Sequence, residues 1–193
     1  MKEPLFYRIV RPIVTFLMKL VFRPNYIGLE NIPKSGRIIL AGNHTNNFDS
    51  PLLLSTTKRV IHFLAKDSLT KGILGPGFKA MGIIPVNRSI HDKGALHNAI
   101  NTLKEEKVIG IFPEGTINRT EDIIMPFKIG AVKMAYETDT EIVPFTITGE
   151  YKVFKKSVTI EFYKPMKLKS DNLTKENERL MKFISKQLEE KRK

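Results

Sequence analysis

Ile38-Ile39-Leu40-Ala41-Gly42-Asn43-His44-Thr45-Asn46-Asn47-Phe48-Asp49-Ser50-Pro51 is the stretch that decides how this chain is read. Its first four residues form a short apolar run that ends at a glycine, the pattern of a buried strand. Ser50-Pro51 then reads as a cap and first-turn proline opening a helix through Leu52, Leu53 and Leu54. The polar cluster between them lies in a strand-to-helix turn, where an α/β fold exposes its reacting groups. A histidine and a carboxylate in one turn can pair, the acid fixing the imidazole tautomer and stabilising the imidazolium formed when the ring accepts a proton. A second reading is also open: Asp49 caps the following helix and His44 is a hydrogen-bonded loop residue. Spacing does not choose between them.

The same alternation continues on either side. Val60 to Ala65, Ile83 to Val86, Val108 to Ile111, Glu141 to Ile147 and Ser157 to Phe162 read as strands. Helical spacing appears over His91 to Glu106, from Phe127 through Ala135, and over about Thr174 to Lys191, the last with a charged outer side. His91 and His97 read as surface helix residues and His62 as a core-edge residue. Gly72 to Phe78 is glycine-rich but has no P-loop spacing, and reads as a flexible turn between short helical pieces. Pro24 to Gly36 reads as a connection built of turn formers. The fold class expected is α/β, a mixed, mostly parallel sheet flanked by helices.

With 193 residues, the chain suits one domain with a substantial core. It has no cysteine, which excludes thiol nucleophiles, disulfides and thiolate-held metals and fits a reducing compartment. Thirty-two basic residues against 20 acidic ones give a net charge of +12, which favours a polyanionic partner. No glycine- and aromatic-rich RNA-binding strand or basic recognition helix is evident, so nucleic acid is not the expected partner. No His-x-His pair or carboxylate-rich cluster accompanies His44 and Asp49, which disfavours a metal-dependent hydrolase.

Residues 1–23 read as a unit separate from residues 24–193. Wound as a helix from Pro4 to Arg23, the segment puts Leu5, Phe6, Ile9, Val10, Ile13, Val14, Phe16, Leu17, Leu20 and Val21 on one broad face. Arg8, Arg11, Thr15 and Lys19 gather on the other, and Pro12 argues for a kink. The basic residues interrupt the run, so no stretch of ~18–20 apolar residues spans a bilayer, and no signal-peptide pattern is present. Such a helix suits the interface of an anionic membrane; the competing reading packs it on the domain's own core.

A second polar turn, Phe112-Pro113-Glu114-Gly115-Thr116, follows the Val108 to Ile111 strand. With His-x4-Asp upstream, Ala65-Lys66-Asp67-Ser68-Leu69 and Ile83 to Arg88 between, and Ile142-Val143-Pro144 beyond, the chain resembles the glycerolipid acyltransferase family, the 1-acylglycerol-3-phosphate acyltransferases in particular. The resemblance implies that His44 is a general base deprotonating a glycerol hydroxyl and that Asp49 orients and charges it. It implies that Lys66 and Arg88 hold the acceptor's phosphate, and that Glu114, Gly115 and Thr116 form the acceptor-binding turn. It implies no metal or cofactor, a lysophospholipid acceptor, and acyl-CoA or an acidic acyl carrier protein as donor. With the basic leading helix, it implies a peripheral enzyme on the cytoplasmic face of the cell membrane. One position departs: the arginine that usually follows the threonine is Ile117 here, and the nearest arginine is Arg119. Phosphate recognition then falls to Arg119 reaching back, to Lys66 and Arg88, or to a different acceptor headgroup.

Overall fold

Ile38 and Leu40 pack into one hydrophobic cluster and Ile39 and Ala41 into another, all four almost fully buried. A strand buried on both faces needs helices above and below it, and that requirement organises the molecule. The computed structural model describes residues 5–73, 75–87 and 92–192. Seven strands form one sheet in the order β1-β7-β6-β2-β5-β3-β4. They are β1 (Asn25–Ile27), β2 (Ile38–Gly42), β3 (Ile61–Lys66), β4 (Ile84–Val86), β5 (Val108–Ile111), β6 (Ile142–Gly149) and β7 (Val158–Phe162). β6 and β7 pair antiparallel; the other neighbours pair in parallel.

The helices are α1 (Leu5–Val21), α2 (Asp49–Leu54), α3 (Gly75–Ala80), α4 (Lys93–Lys104), α5 (Gly130–Thr138) and α6 (Leu173–Glu190). α1 and α2 cover one face through Tyr7, Met18, Phe22 and the three leucines Leu52, Leu53 and Leu54. α4, α5 and α6 cover the other through Ala95, Ala99, Leu103, Met134, Leu180 and Ile184.

Because β2, β3, β4, β5 and β6 run the same way, their C-terminal ends share one edge. Ile38 and Ile61 both stand opposite Val108, so Gly42 and Ala65, each four residues further on, are level across the sheet. Lys66 therefore stands on the same edge as His44, two strand spacings or about 10 Å away. Gly42 lets that edge close up, since a β-carbon there would stand 2.4 Å from the Phe145 ring.

The sequence reading differs from the structure in three places. β1 lies within the segment read as a connection; it is an edge strand of three residues, too short for alternation to register. Gly75 to Ala80, read as part of a flexible turn, is a helical turn, with Pro76 in its first turn, where a missing N–H costs nothing. α1 has two apolar faces rather than one. Tyr7, Met18 and Phe22 are buried against the domain, whereas Phe6, Ile9, Ile13, Phe16, Leu17 and Leu20 are 42% to 63% exposed. Arg11, expected on the free basic side, turns inward and donates from Nε to the Thr57 carbonyl at 2.6 Å. The expected helix start at Pro4, the surface placement of His91 and the phosphate contact of Arg88 lie outside the described residues.

Candidate active site

The chain leaves β2 through Asn43, whose amide continues the ladder after the strand itself has ended. Its Nδ2 donates to the Ile147 carbonyl at 2.9 Å and its Oδ1 accepts the Ile147 N–H at 2.8 Å. The side chain so imitates a peptide group, and the next residue, His44, is thrown beyond the sheet edge from a fixed point.

His44 Nδ1 lies 2.8 Å from Asp49 Oδ2. Asp49 has no exposed surface and His44 keeps 14% of its side chain accessible. A carboxylate only accepts, so Nδ1 carries the proton, and in the neutral imidazole Nε2 is the nitrogen with the free lone pair. The ring stacks on Phe112, centroids 4.1 Å apart and 14° from parallel. Asp49 is not the side-chain cap of α2, whose N-cap position is Phe48. Its carboxylate reaches back instead, Oδ2 accepting the N–H groups of Thr45 and Asn46 at 2.6 and 2.8 Å. Oδ1 takes the Tyr151 hydroxyl at 2.6 Å. Several donors around one buried carboxylate fix its orientation.

The Pro-Glu-Gly-Thr turn clamps the same histidine from the β5 side. Glu114 Oε1 accepts the His44 N–H at 2.7 Å and Oε2 the Met125 N–H at 2.9 Å. The Asn118 N–H completes the clamp on the His44 carbonyl at 2.8 Å. Glu114 is buried, and desolvation pushes its carboxyl above the ordinary range, opposed by those two donors. Both of its oxygens are thus engaged by backbone. Replacing Glu114 with Gln is expected to lower the melting temperature and turnover together. An amide has one acceptor oxygen for two backbone donors, and a buried N–H left unpaired costs about 1–3 kcal/mol. A thermal melt alongside the rate checks this; an unchanged melting temperature contradicts it.

Gly115 has φ +75°, and the ammonium end of Lys128 lies against it, 2.9 Å from where a β-carbon would stand. Thr116, Arg119, Lys66 and Lys128 are all exposed. Cations from β3 (Lys66) and from the loop before α5 (Lys128, against Gly115) thus stand exposed on this side of the sheet. The structure thus gathers His44, Asp49, Glu114, Gly115 and Thr116 around one point, with Lys66 on the same edge. Arg119 lies in the loop after the turn. Sequence reading missed Tyr151, Asn118 and Lys128. Tyr151 is separated from Asp49 by 102 residues, and no local pattern marks it. Lys128 sat in a segment read only as a helix opening. Among the described residues, no group of three or more His, Cys, Asp or Glu side chains is arranged to hold a metal ion.

Comparison with known proteins places this geometry. The family model described as Acyltransferase matches residues 23–148. A 1-acyl-sn-glycerol-3-phosphate acyltransferase of Borreliella burgdorferi is 40% identical over 134 residues, which are 68% of this chain and 53% of that protein. One from Bacillus subtilis is 31% identical over 122 residues, 62% of this chain and 60% of that protein. The chain thus spans little more than half the length of these relatives. In fold it is similar to the crystal structure of the 1-acyl-sn-glycerophosphate (LPA) acyltransferase PlsC from Thermotoga maritima. That similarity has a TM-score of 0.76 at 22% identity, covering 96% of this chain and 81% of that one.

Proposed function

We propose that this chain, which belongs to the acyltransferase family, moves a fatty acyl group from an acyl thioester to the free hydroxyl of 1-acylglycerol 3-phosphate, giving phosphatidic acid. The observation that carries this reading is the His44–Asp49 pair, Nδ1 2.8 Å from the carboxylate at a sheet edge, with the His44 backbone clamped by the Glu114 turn. In the reaction the acceptor hydroxyl gives its proton to Nε2 while its oxygen attacks the thioester carbonyl carbon. The tetrahedral intermediate then collapses, the C–S bond breaks, and the imidazolium returns the proton to the departing thiolate. A thioester is already activated, so this chemistry asks for a base and for positioning, with no metal or cofactor.

Lys66, Lys128 and Arg119 are the described cations available for the acceptor's phosphate; Arg88, which the resemblance adds to them, lies outside the described residues. Lys128 against Gly115 supplies charge at the turn where Ile117 replaces the usual arginine. The same substitution supports a second reading, in which the acceptor is another lysophospholipid. A net charge of +12 suits the anionic donors acyl-CoA and acidic acyl carrier protein. The test is to incubate the purified protein in vesicles with each donor and a panel of lysolipids, reading the products by mass spectrometry. Acylation of lysophosphatidic acid is expected. Acylation of a different lysolipid alone would replace the acceptor, and acylation of none would remove the assignment.

The reading includes a peripheral site on the cytoplasmic face of the membrane. No helix among the described residues is long and apolar enough to cross a bilayer. The exposed Val153 and Phe154 stand at the C-terminal end of α1, where the Phe154 N–H meets the Val21 carbonyl, and the exposed face of α1 runs on from that end. Arg8 and Lys19 flank this face, and Lys152, Lys155 and Lys156 lie in the loop of Phe154, suitably for anionic headgroups. The double variant Ile13→Glu with Phe16→Glu is expected to weaken binding to anionic vesicles at least about tenfold. Both residues are already exposed, so the melting temperature should hold. Unchanged co-sedimentation contradicts the placement.

A further inference from the structure

We infer that Tyr151 is a positioning residue of the acyl-transfer site, its hydroxyl holding Asp49 in register with His44 and its ring joining that pair to the end of α1. This rests on the reading of His44 as the base.

The Tyr151 hydroxyl donates to Asp49 Oδ1 at 2.6 Å, on the oxygen that does not face His44. Oδ2 is held by His44 and by two backbone N–H groups from its own turn. The other donor to Oδ1 within that turn is the Thr45 hydroxyl, at 3.3 Å. Of the two hydrogen bonds on Oδ1, Tyr151 therefore supplies the shorter, and with it the restraint on that side of the carboxylate. Burial, reinforced by the negative charge of Asp49, holds the phenol's ionisation far above its ordinary range, so the hydroxyl keeps its proton and donates it to Asp49.

The ring is held as firmly as the hydroxyl. It packs edge-on against Phe22, centroids 5.3 Å apart, and against Phe48 at 5.6 Å, while Phe22 and Phe48 are 4.8 Å apart. Phe22 directly follows α1, and Phe48 directly precedes Asp49. The loop bearing Tyr151 is closed by the Glu150 N–H on the Ser157 carbonyl at 2.8 Å and is tied to the end of α1 by Phe154 and Val21. Any shift of α1 against the domain must therefore move the Tyr151 ring or unstack it. The helix with the exposed apolar face and the acid of the dyad are thus mechanically one piece.

A donor on Oδ1 also draws charge away from Oδ2. Without it the carboxylate stabilises an imidazolium more strongly, so the neutral base is reached only at higher pH. Among the described residues, the ionisable groups hydrogen-bonded to the pair are Glu114, on the His44 N–H, and Tyr151 itself, with Tyr26 adding to the field at Tyr151.

The test compares wild type, Tyr151→Phe and Phe22→Ala, using acyl-CoA and lysophosphatidic acid in vesicles, together with NMR titration of the labelled histidine rings without substrate. Tyr151→Phe keeps the packing and removes only the hydroxyl. We expect kcat to fall about tenfold with KM little changed, and both the acid limb of kcat/KM and the His44 titration to move to higher pH. The His97 titration should stay in place. Phe22→Ala, which retains the hydroxyl, should lower kcat with a smaller movement of the acid limb. A Tyr151→Phe protein with wild-type kcat and an unmoved His44 titration overturns the inference. A wild type without acyl transfer would overturn the underlying reading instead, and the ring titration would still report whether Tyr151 acts on His44.

Discussion

His44→Ala is expected to lose acyl transfer by about 10³–10⁴-fold while remaining folded. The reasons for the loss and for the survival are separate. Attack by an alcohol on a thioester needs its proton removed as the C–O bond forms, and Nε2 is the acceptor the geometry offers. The fold survives because two of the bonds that tie His44 to the rest of the molecule come from its backbone: its N–H on Glu114 and its carbonyl under Asn118. Alanine keeps both. It withdraws one donor from Asp49, which retains Thr45, Asn46 and Tyr151, and it bares one face of Phe112. A melting temperature within a few degrees of wild type, with the rate gone, is the expected result. A comparable rate would remove His44 from the chemistry.

Asp49→Asn is expected to cost about 10²–10⁴ in kcat with little loss of stability, and the second half of that statement is the sharper one. A buried carboxylate holding several donors is usually intolerant of amidation, because the new NH₂ meets another donor. Here one side of the group faces a hydroxyl. With the amide oxygen in the Oδ2 position, the N–H groups of Thr45 and Asn46 and the His44 ring keep their acceptor, and the NH₂ faces Tyr151, whose oxygen can accept as well as donate. Geometry is kept and the charge is lost, so the imidazolium formed during the reaction has no counter-ion. Asp49→Ala, by contrast, takes the acceptor from two backbone N–H groups and a ring N–H and leaves a cavity where a fully buried side chain stood, at a cost of about 1–3 kcal/mol in all. Parallel melts and rates should therefore separate the two variants: Asn folded and slow, Ala both slow and destabilised.

Much of this site is legible in the sequence because its central pair is local. Asp49 comes five positions after His44, and a strand-ending glycine before them with a Ser-Pro after them locates the turn. The apolar runs at Val108 to Ile111 and Ile142 to Ile147 likewise read as buried strands without any knowledge of their partners. What the sequence does not carry is the partner itself. Asn43 continues the ladder onto Ile147, 104 residues on, and Tyr151 reaches Asp49 across a comparable span. Neither contact leaves a periodic trace. α1 fails for another reason. Its apolar residues cover so wide an arc that one helix satisfies two partners, Tyr7 and Met18 turning to the core while Ile13 and Phe16 stay exposed. Periodicity measures the width of such an arc but not its division.

The measurement closest to the central claim is the stoichiometry of thiol release by the wild-type protein, with and without the lysolipid acceptor, followed by the intact mass of the enzyme. Direct attack by a base-activated alcohol predicts that thiol appears only when acceptor is present, one for each acylated lipid, and that the protein's mass never changes. Thiol released from acyl-CoA alone, with one acyl chain added to the protein, would mean that a side chain takes the acyl group first, and His44 would no longer be the base that activates the lipid.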